Sequence, residues 1–114
     1  ELIQIKQSLF DTQDVSKPIS MVKLAKKLRK NNVVIYDSRS IEEYQLGHIV
    51  GAISGAAPME RTSVPDMEIV VYGRTEWCPL AYTAAARLNA LGHKTRRLDG
   101  GFPEWKHAGF PIEP

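Results

Sequence analysis

The only cysteine of this 114-residue chain, Cys78, stands among residues that suit thiol chemistry. An apolar, β-branched run at 69–72 is typical of a buried strand, and Gly73 follows it. Pro79 suits the first position of a helix, so Cys78 is predicted to cap a helix N-terminus. Free backbone N–H groups and the helix dipole favour a thiolate at such a position. The pattern therefore predicts a strand, a short loop and a helix, with Cys78 as a candidate nucleophile or redox-sensing thiol.

The loop between the strand and the helix is the candidate binding site. The guanidinium of Arg74 could bind a small anion or could simply be solvated, and Trp77 could line the mouth of a pocket. The competing interpretation makes Cys78 a small, partly buried apolar residue without chemistry, as free cysteines commonly are. The predicted loop consists of Gly73, Arg74, Thr75, Glu76, Trp77 and Cys78.

A second apolar, β-branched run at 33–36 predicts another buried strand, and Asp37-Ser38-Arg39 follows it directly. In parallel sheets, ligands bind at the carboxyl ends of the strands, and both this segment and the 73–78 loop stand at such ends. Asp37 and Arg39 could form an ion pair that holds the strand end near the loop.

Helical patterns separate these strands. Apolar residues recur at helical spacing over 21–28 and 80–91, and Ser40 and Glu43 form a capping box for a short helix. Strands that alternate with helices predict an α/β fold, with a central parallel sheet of about five strands and helices on both faces.

Composition limits the remaining classes of function. The net charge is +2, with 43% hydrophobic and 25% charged residues, as in ordinary globular domains. A single cysteine excludes an internal disulfide and a cysteine-rich zinc site, so we expect no metal and no cofactor. No apolar run reaches the length of a membrane span, and the bunched lysines lack interleaved aromatic residues, so we expect neither membrane nor nucleic-acid binding by this domain. A cytoplasmic location fits the single cysteine.

The first residues are expected to differ from the rest. The chain begins with Glu1 rather than methionine, which suggests a piece of a longer protein. Residues 1–18 combine a weak helical spacing with a polar stretch that Pro18 closes, and they are predicted to form a short helix and linker. Residues 19–114 are then predicted to form one domain.

Several motifs, taken in order, resemble the rhodanese domain family over about 19–113. The match is closer to rhodanese domains fused to ArsR-type helix-turn-helix repressors, whose loop has a cysteine at its start and another at its end. The segments that carry the resemblance are Ile35-Tyr36-Asp37-Ser38-Arg39, Glu42-Glu43-Tyr44, Gly47-His48-Ile49, Gly51-Ala52, Gly73 to Tyr82, Leu98 to Trp105 and Gly109 with Pro111.

The resemblance implies sulfur-transfer chemistry with one departure. In the family, the first loop cysteine takes sulfane sulfur from a donor such as thiosulfate, forms a persulfide and passes the sulfur on. That position is Gly73 here, and glycine has no nucleophile. Cys78 matches the second cysteine of the ArsR-linked group. The resemblance also gives Asp37 and Arg39 a supporting role and His48 a structural role in a turn.

Two hypotheses follow for function. Either the domain is a sulfurtransferase that uses Cys78, or it is a sensing or protein-interaction module that does not turn over a substrate. In one version of the second hypothesis, the module is part of a transcription regulator. The expected partners are a sulfane-sulfur donor or small oxyanion and, in the second case, a protein. A phosphatase of the same fold is a weaker alternative, because that chemistry needs a cysteine at the loop's start and an arginine at its end.

Overall fold

The computed structural model of the chain describes residues 18–55 and 67–114. The predicted N-terminal helix and linker, apart from Pro18, and most of the predicted loop at 54–67 lie outside the described residues. The elements in chain order are α1 (Met21–Arg29), β1 (Val33–Asp37), α2 (Ile41–Leu46), β2 (His48–Ile49), β3 (Ile53–Ser54), β4 (Glu68–Tyr72), α3 (Pro79–Ala90), β5 (Thr95–Arg97), α4 (Phe102–His107) and β6 (Ile112–Glu113).

Among the described residues, the main sheet has four parallel strands in the order β3-β1-β4-β5. The α/β prediction is thus confirmed, but the sheet has four strands where about five were expected. Beyond β5, Ile19 makes a single parallel bridge to Leu98. Ser20 caps α1, so the pairing does not continue past Ile19 toward the C-terminus. Strands β2 and β6 form a separate antiparallel pair.

Successive side chains of each strand point to opposite faces of the sheet. The core therefore has one part on each face, as expected for a sheet covered on both sides. Ile35, Val70 and Tyr72 point to the face covered by α1 and α4, where Trp105 is fully buried. The opposite face of the sheet packs against α3; the buried residues there are Tyr36, Ile69, Val71, Cys78, Ala81, Ala84, Ala85 and Leu88. Cys78 therefore lies where the core meets the carboxyl end of β4.

Local signals account for the helix starts near the site. The predicted capping box is present at α2, since Ser40 accepts from the Glu43 N–H and Glu43 accepts from the Ser40 N–H. Helix α3 begins at Pro79 with Cys78 at its N-cap. The register pairs Asp37 with Tyr72, so β1 and β4 end side by side. Among the residues described, no helix is both long and apolar enough to cross a membrane.

Candidate functional site

The side chain of Cys78 occupies the space that a side chain at position 73 would need. A Cβ atom on Gly73 would lie 2.7 Å from both the Cβ and the Sγ of Cys78. The Cys78 side chain is therefore turned back from the end of the loop toward its beginning. The residue is only 5% exposed and also contacts the core beneath α3. The sulfur thus lies at the base of the loop and borders the apolar interior.

The loop that ends at Cys78 has backbone N–H groups available as donors. Cys78 has extended backbone and makes no side-chain capping hydrogen bond. Within 18–55 and 67–114, the backbone N–H groups of Arg74, Thr75 and Glu76 have no hydrogen-bond acceptor. Successive N–H groups in a turn and the positive end of a 12-residue helix together favour an anion. The loop can therefore stabilise negative charge without a metal.

The segment before α4 forms one wall of the loop. The Phe102 N–H donates to the Gly73 carbonyl at 3.0 Å. A Cβ on Gly101 would collide with the carbonyl group of Arg74, so this close approach of two backbones requires glycine. The sequence motif at 99–102 thus serves to pack against the loop, a long-range role that no local pattern indicates.

Arg74 is not simply solvated. Its Nε and Nη2 donate to the two carboxylate oxygens of Glu43 at 2.7 and 2.8 Å. The two residues, 31 positions apart in the sequence, thus form a bidentate ion pair. These hydrogen bonds are the main cause that lowers the pKa of Glu43 to about 2 from its usual 4.5. Glu43 thus both caps α2 and holds the loop in place through Arg74. The Arg74 guanidinium is therefore already paired with a carboxylate.

The Arg74–Glu43 pair should give stability a specific dependence on acid. Because folding lowers the pKa of Glu43, the contribution of Glu43 to the free energy of unfolding is fully present above pH 4.5. This contribution is lost as pH falls through about 2. In urea denaturation between those pH values, the wild type should lose stability more steeply than Glu43→Gln. Arg74→Gln should flatten the dependence in the same way. Parallel pH curves for all three proteins would contradict the pair's role.

Asp37 and Arg39 form the expected ion pair, and it is buried. Arg39 donates from Nη2 to Asp37 at 2.7 Å and to the Gly47 carbonyl at 2.6 Å. Burial opposes the charge on Arg39, but hydrogen bonds and attraction from Asp37 outweigh it and raise its pKa. The guanidinium carbon also lies 4.2 Å from the centre of the Phe102 ring.

Tyr72 completes this network, and the sequence analysis missed it. Its hydroxyl donates to Asp37 at 2.5 Å and accepts from the Ile49 N–H at 3.1 Å. Burial, followed by the contact with Asp37, raises the pKa of Tyr72. The Tyr72 carbonyl accepts from the Ser38 hydroxyl at 2.8 Å. The ends of β1 and β4 are therefore joined just where the loop begins.

The other singled-out residues fall into two groups. Trp77 lies in the loop and is 69% exposed. Its backbone N–H donates to the Thr75 hydroxyl at 3.1 Å. His48 and Trp105 are buried and turned inward. The His48 ring stacks on Tyr44 at 3.8 Å and contacts the Tyr44 carbonyl through Nδ1, while Trp105 donates to the Pro111 carbonyl. These contacts do not place the His48 ring or the Trp105 ring at the 73–78 loop.

Arg97 is a neighbour of the loop that sequence patterns did not indicate. Its Nη1 donates to the Glu76 carbonyl at 3.2 Å, and its guanidinium carbon lies 3.9 Å from the centre of the Tyr82 ring on α3. Arg97 thereby joins β5, the loop and the first turn of α3. Within the described part of the chain, no three His, Cys, Asp or Glu side chains are grouped to hold a metal ion.

The profile of the Rhodanese-like domain family matches residues 20–108. The chain belongs to the rhodanese-like domain family. The matched residues contain every element from α1 to α4, and β6 lies beyond them.

This rhodanese-like domain is similar to parts of two longer proteins. It is 34% identical over 99 residues to an HTH-type transcriptional regulator of Mycobacterium tuberculosis, covering 83% of this chain but 44% of that protein. The chain therefore spans less than half the length of this curated relative. It is also similar to a thiosulfate sulfurtransferase of Pseudomonas aeruginosa, with 28% identity and a TM-score of 0.73 over 86% of this chain and 19% of the other.

A third similarity supports the fold alone. A Bacillus halodurans protein of known structure has a TM-score of 0.76 with 24% identity, and the match covers 96% of this chain and 85% of that one. The rhodanese-like domain is thus related to a sulfurtransferase and to a segment of a transcriptional regulator.

Proposed function

We propose that this rhodanese-like domain accepts a sulfane sulfur on Cys78 and holds it as a persulfide in the 73–78 loop. The observation that carries the proposal is the 2.7 Å between the Cys78 Sγ and the Cβ position of residue 73. The family's first loop cysteine falls on Gly73. A thiol from the end of the loop therefore occupies the space at its beginning.

The step needs only the donor and the thiolate. With thiosulfate, the Cys78 thiolate attacks the outer sulfur, the new Sγ–S bond forms as the S–S bond of thiosulfate breaks, and sulfite leaves with the electron pair. The resulting persulfide is an anion, and the free N–H groups of Arg74 and Thr75 and the α3 N-terminus can stabilise it. A thiophilic acceptor such as cyanide would then take the outer sulfur and restore the thiolate.

The transcriptional regulator among the relatives suggests the setting. In such a protein, the persulfide on Cys78 would report the supply of sulfane sulfur in the cytoplasm. The rhodanese-like domain would then serve as the sensing part, and slow turnover would suit that role.

The test is mass spectrometry of the intact domain after incubation with thiosulfate. We expect a gain of one sulfur atom that cyanide removes as thiocyanate, and complete loss of the adduct in Cys78→Ser. Serine keeps the size of the side chain but is not a nucleophile for sulfane sulfur. An adduct that persists in Cys78→Ser, or no adduct with any sulfane-sulfur donor, would refute the proposal.

A second candidate is a binding module that makes no persulfide. The 5% exposure of Cys78 and its place in the apolar cluster beneath α3 favour it, because buried free cysteines are commonly inert. This candidate predicts that thiosulfate binds without a covalent adduct, and that Cys78→Ala binds it as tightly as the wild type does in calorimetry.

A further inference from the structure

We propose that a hollow between α2 and α4 binds a small organic monocarboxylate with an apolar body. The hollow has a volume of about 180 Å³, and none of its walls belongs to the 73–78 loop. Its walls include the charged residues Arg39, Glu43 and Lys106 and the apolar residues Leu46, Phe102 and Ile112. The site is separate from the proposed sulfur-accepting role, because the Cys78 thiol takes no part in it.

One edge of the Arg39 guanidinium is free for such a ligand. Its Nε and Nη2 donate to Asp37, and Nη2 also donates to the Gly47 carbonyl, whereas Nη1 has no hydrogen bond to any described residue. Among the described side chains, Arg97 Nε is the only enclosed nitrogen or oxygen atom without a partner, so Nη1 of Arg39 has access to solvent. Because Arg39 is 7% exposed and lines the hollow, Nη1 can meet an anion there.

The hollow also has one unmatched positive charge. Lys106 is exposed and forms no hydrogen bond or ion pair with the residues that the structure describes. Glu43 is the carboxylate among the walls, and both of its oxygens accept from Arg74. Arg39 is balanced by Asp37. The charge that remains is that of Lys106, and a concave site with an unmatched cation attracts an anion.

Two further carboxylates, on α4 and β6, are engaged elsewhere and are not walls of the hollow. Glu104 accepts from the Gly101 N–H at 2.8 Å. Glu113 accepts from the Gly51 N–H at 2.9 Å and lies 3.3 Å from Nε2 of His48. Their negative charges are therefore directed to the protein's own donors rather than to a ligand in the hollow.

The apolar walls indicate what the ligand carries besides its charge. Leu46, the last residue of α2, is 86% exposed, and Ile112 is partly exposed beside the buried Phe102 ring. Exposed aliphatic side chains around a concave site favour a ligand with apolar surface. Two such side chains are too few for a polypeptide partner, whose interface needs about 1,000 Å² or more. The hollow therefore suits a small aliphatic acid.

A carboxylate fits the two cations better than a phosphate does. It is planar and carries one negative charge, so it can accept from the edge of a guanidinium and pair with an ammonium group. Arg39 and Lys106 supply one group of each kind. A phosphate dianion would bring a second charge, and the walls contain no further cation to match it.

The experiment titrates the complete 114-residue chain with isocaproate and follows the backbone amide signals by NMR. We expect a dissociation constant of about 1 mM, a usual value for so small a ligand, with the largest shifts at Gly47, Lys106 and Ile112. Acetate has the charge without the apolar body, and isocaproamide has the body without the charge. Each should bind at least about fivefold more weakly than isocaproate.

Variants at two exposed positions separate the charge from the apolar contact. Lys106→Gln should raise the dissociation constant of isocaproate about threefold to fivefold, and Leu46→Ser should raise it about threefold. The matched control Lys94→Gln removes an exposed lysine that precedes β5, at the other end of the parallel sheet, and should leave the constant unchanged. Cys78→Ser should also leave it unchanged.

Three results would overturn the inference. Acetate could bind as tightly as isocaproate, Lys106→Gln could bind isocaproate as the wild type does, or the shifts could be confined to the 73–78 loop. A peptide with a C-terminal leucine that binds more than about tenfold tighter than isocaproate would also exclude the free acid as the occupant. None of these results bears on the persulfide of Cys78, which mass spectrometry tests separately.

Discussion

Asp37→Asn is expected to lower the free energy of unfolding by about 3–5 kcal/mol, the usual result of removing one partner of a buried ion pair. Asp37 is fully buried and Arg39 is 7% exposed, so the guanidinium would remain buried without its carboxylate. The Tyr72 hydroxyl would lose its charged acceptor as well. Asparagine has almost the same shape, so the loss would come from charge and hydrogen bonding rather than from a cavity.

Urea denaturation of the two proteins measures this effect. Glu42→Gln also replaces a carboxylate by an amide, at an exposed position, and should stay within about 0.5 kcal/mol of the wild type. A loss of under about 1 kcal/mol in Asp37→Asn would show that the network is dispensable. Because β1 and β4 end at this network, Asp37→Asn should also slow sulfur transfer to Cys78.

Gly73 and Cys78 are expected to behave as one steric unit. Gly73→Ala should destabilise the domain by about 1–3 kcal/mol, the cost of overpacking, since the new Cβ would meet a Cβ as well as the sulfur. In Gly73→Ala/Cys78→Gly the colliding atoms are gone. The double variant should therefore be more stable, by about 1 kcal/mol or more, than the sum of the single changes predicts.

A matched pair controls for glycine effects. A Cβ on Gly47 would lie 3.5 Å from the Phe102 ring, which is an ordinary contact, and its backbone is extended. Gly47→Ala combined with Cys78→Gly should be additive within about 0.5 kcal/mol. Additivity in the Gly73 pair too would show that the two side-chain positions do not compete.

The same exchange can move the thiol. Gly73→Cys/Cys78→Gly places a cysteine at the start of the loop with room for its side chain, and it should form the sulfur adduct that Cys78→Ser lacks. Gly73→Cys alone should be destabilised by the collision. The position after β4 can therefore accept a side chain only when residue 78 is also small.

Short-range patterns predicted the elements well because each depends on neighbours in the sequence. The capping box of Ser40 and Glu43, the strand at 33–36 and the helix after Pro79 each follow from residues within a few positions. The expected ion pair of Asp37 and Arg39 belongs to the same class, since only one residue lies between its members.

The contacts that shape the loop could not be predicted in this way. Tyr72 reaches Asp37 across 35 residues, Arg74 reaches Glu43 across 31, and Arg97 reaches the Glu76 carbonyl across 21. Each depends on strand register and on how helices pack, which a single sequence does not reveal. The direction of the Cys78 side chain belongs here too, because only packing determines that it turns toward Gly73.

The two tryptophans of the chain differ in their exposure to water. Trp77 is largely exposed in the loop, and Trp105 is fully buried. Iodide in solution should therefore quench the fluorescence of Trp77 and spare that of Trp105. The loop thus contains its own optical label directly before Cys78, and the proposed sulfur loading is expected to change its fluorescence without an attached dye.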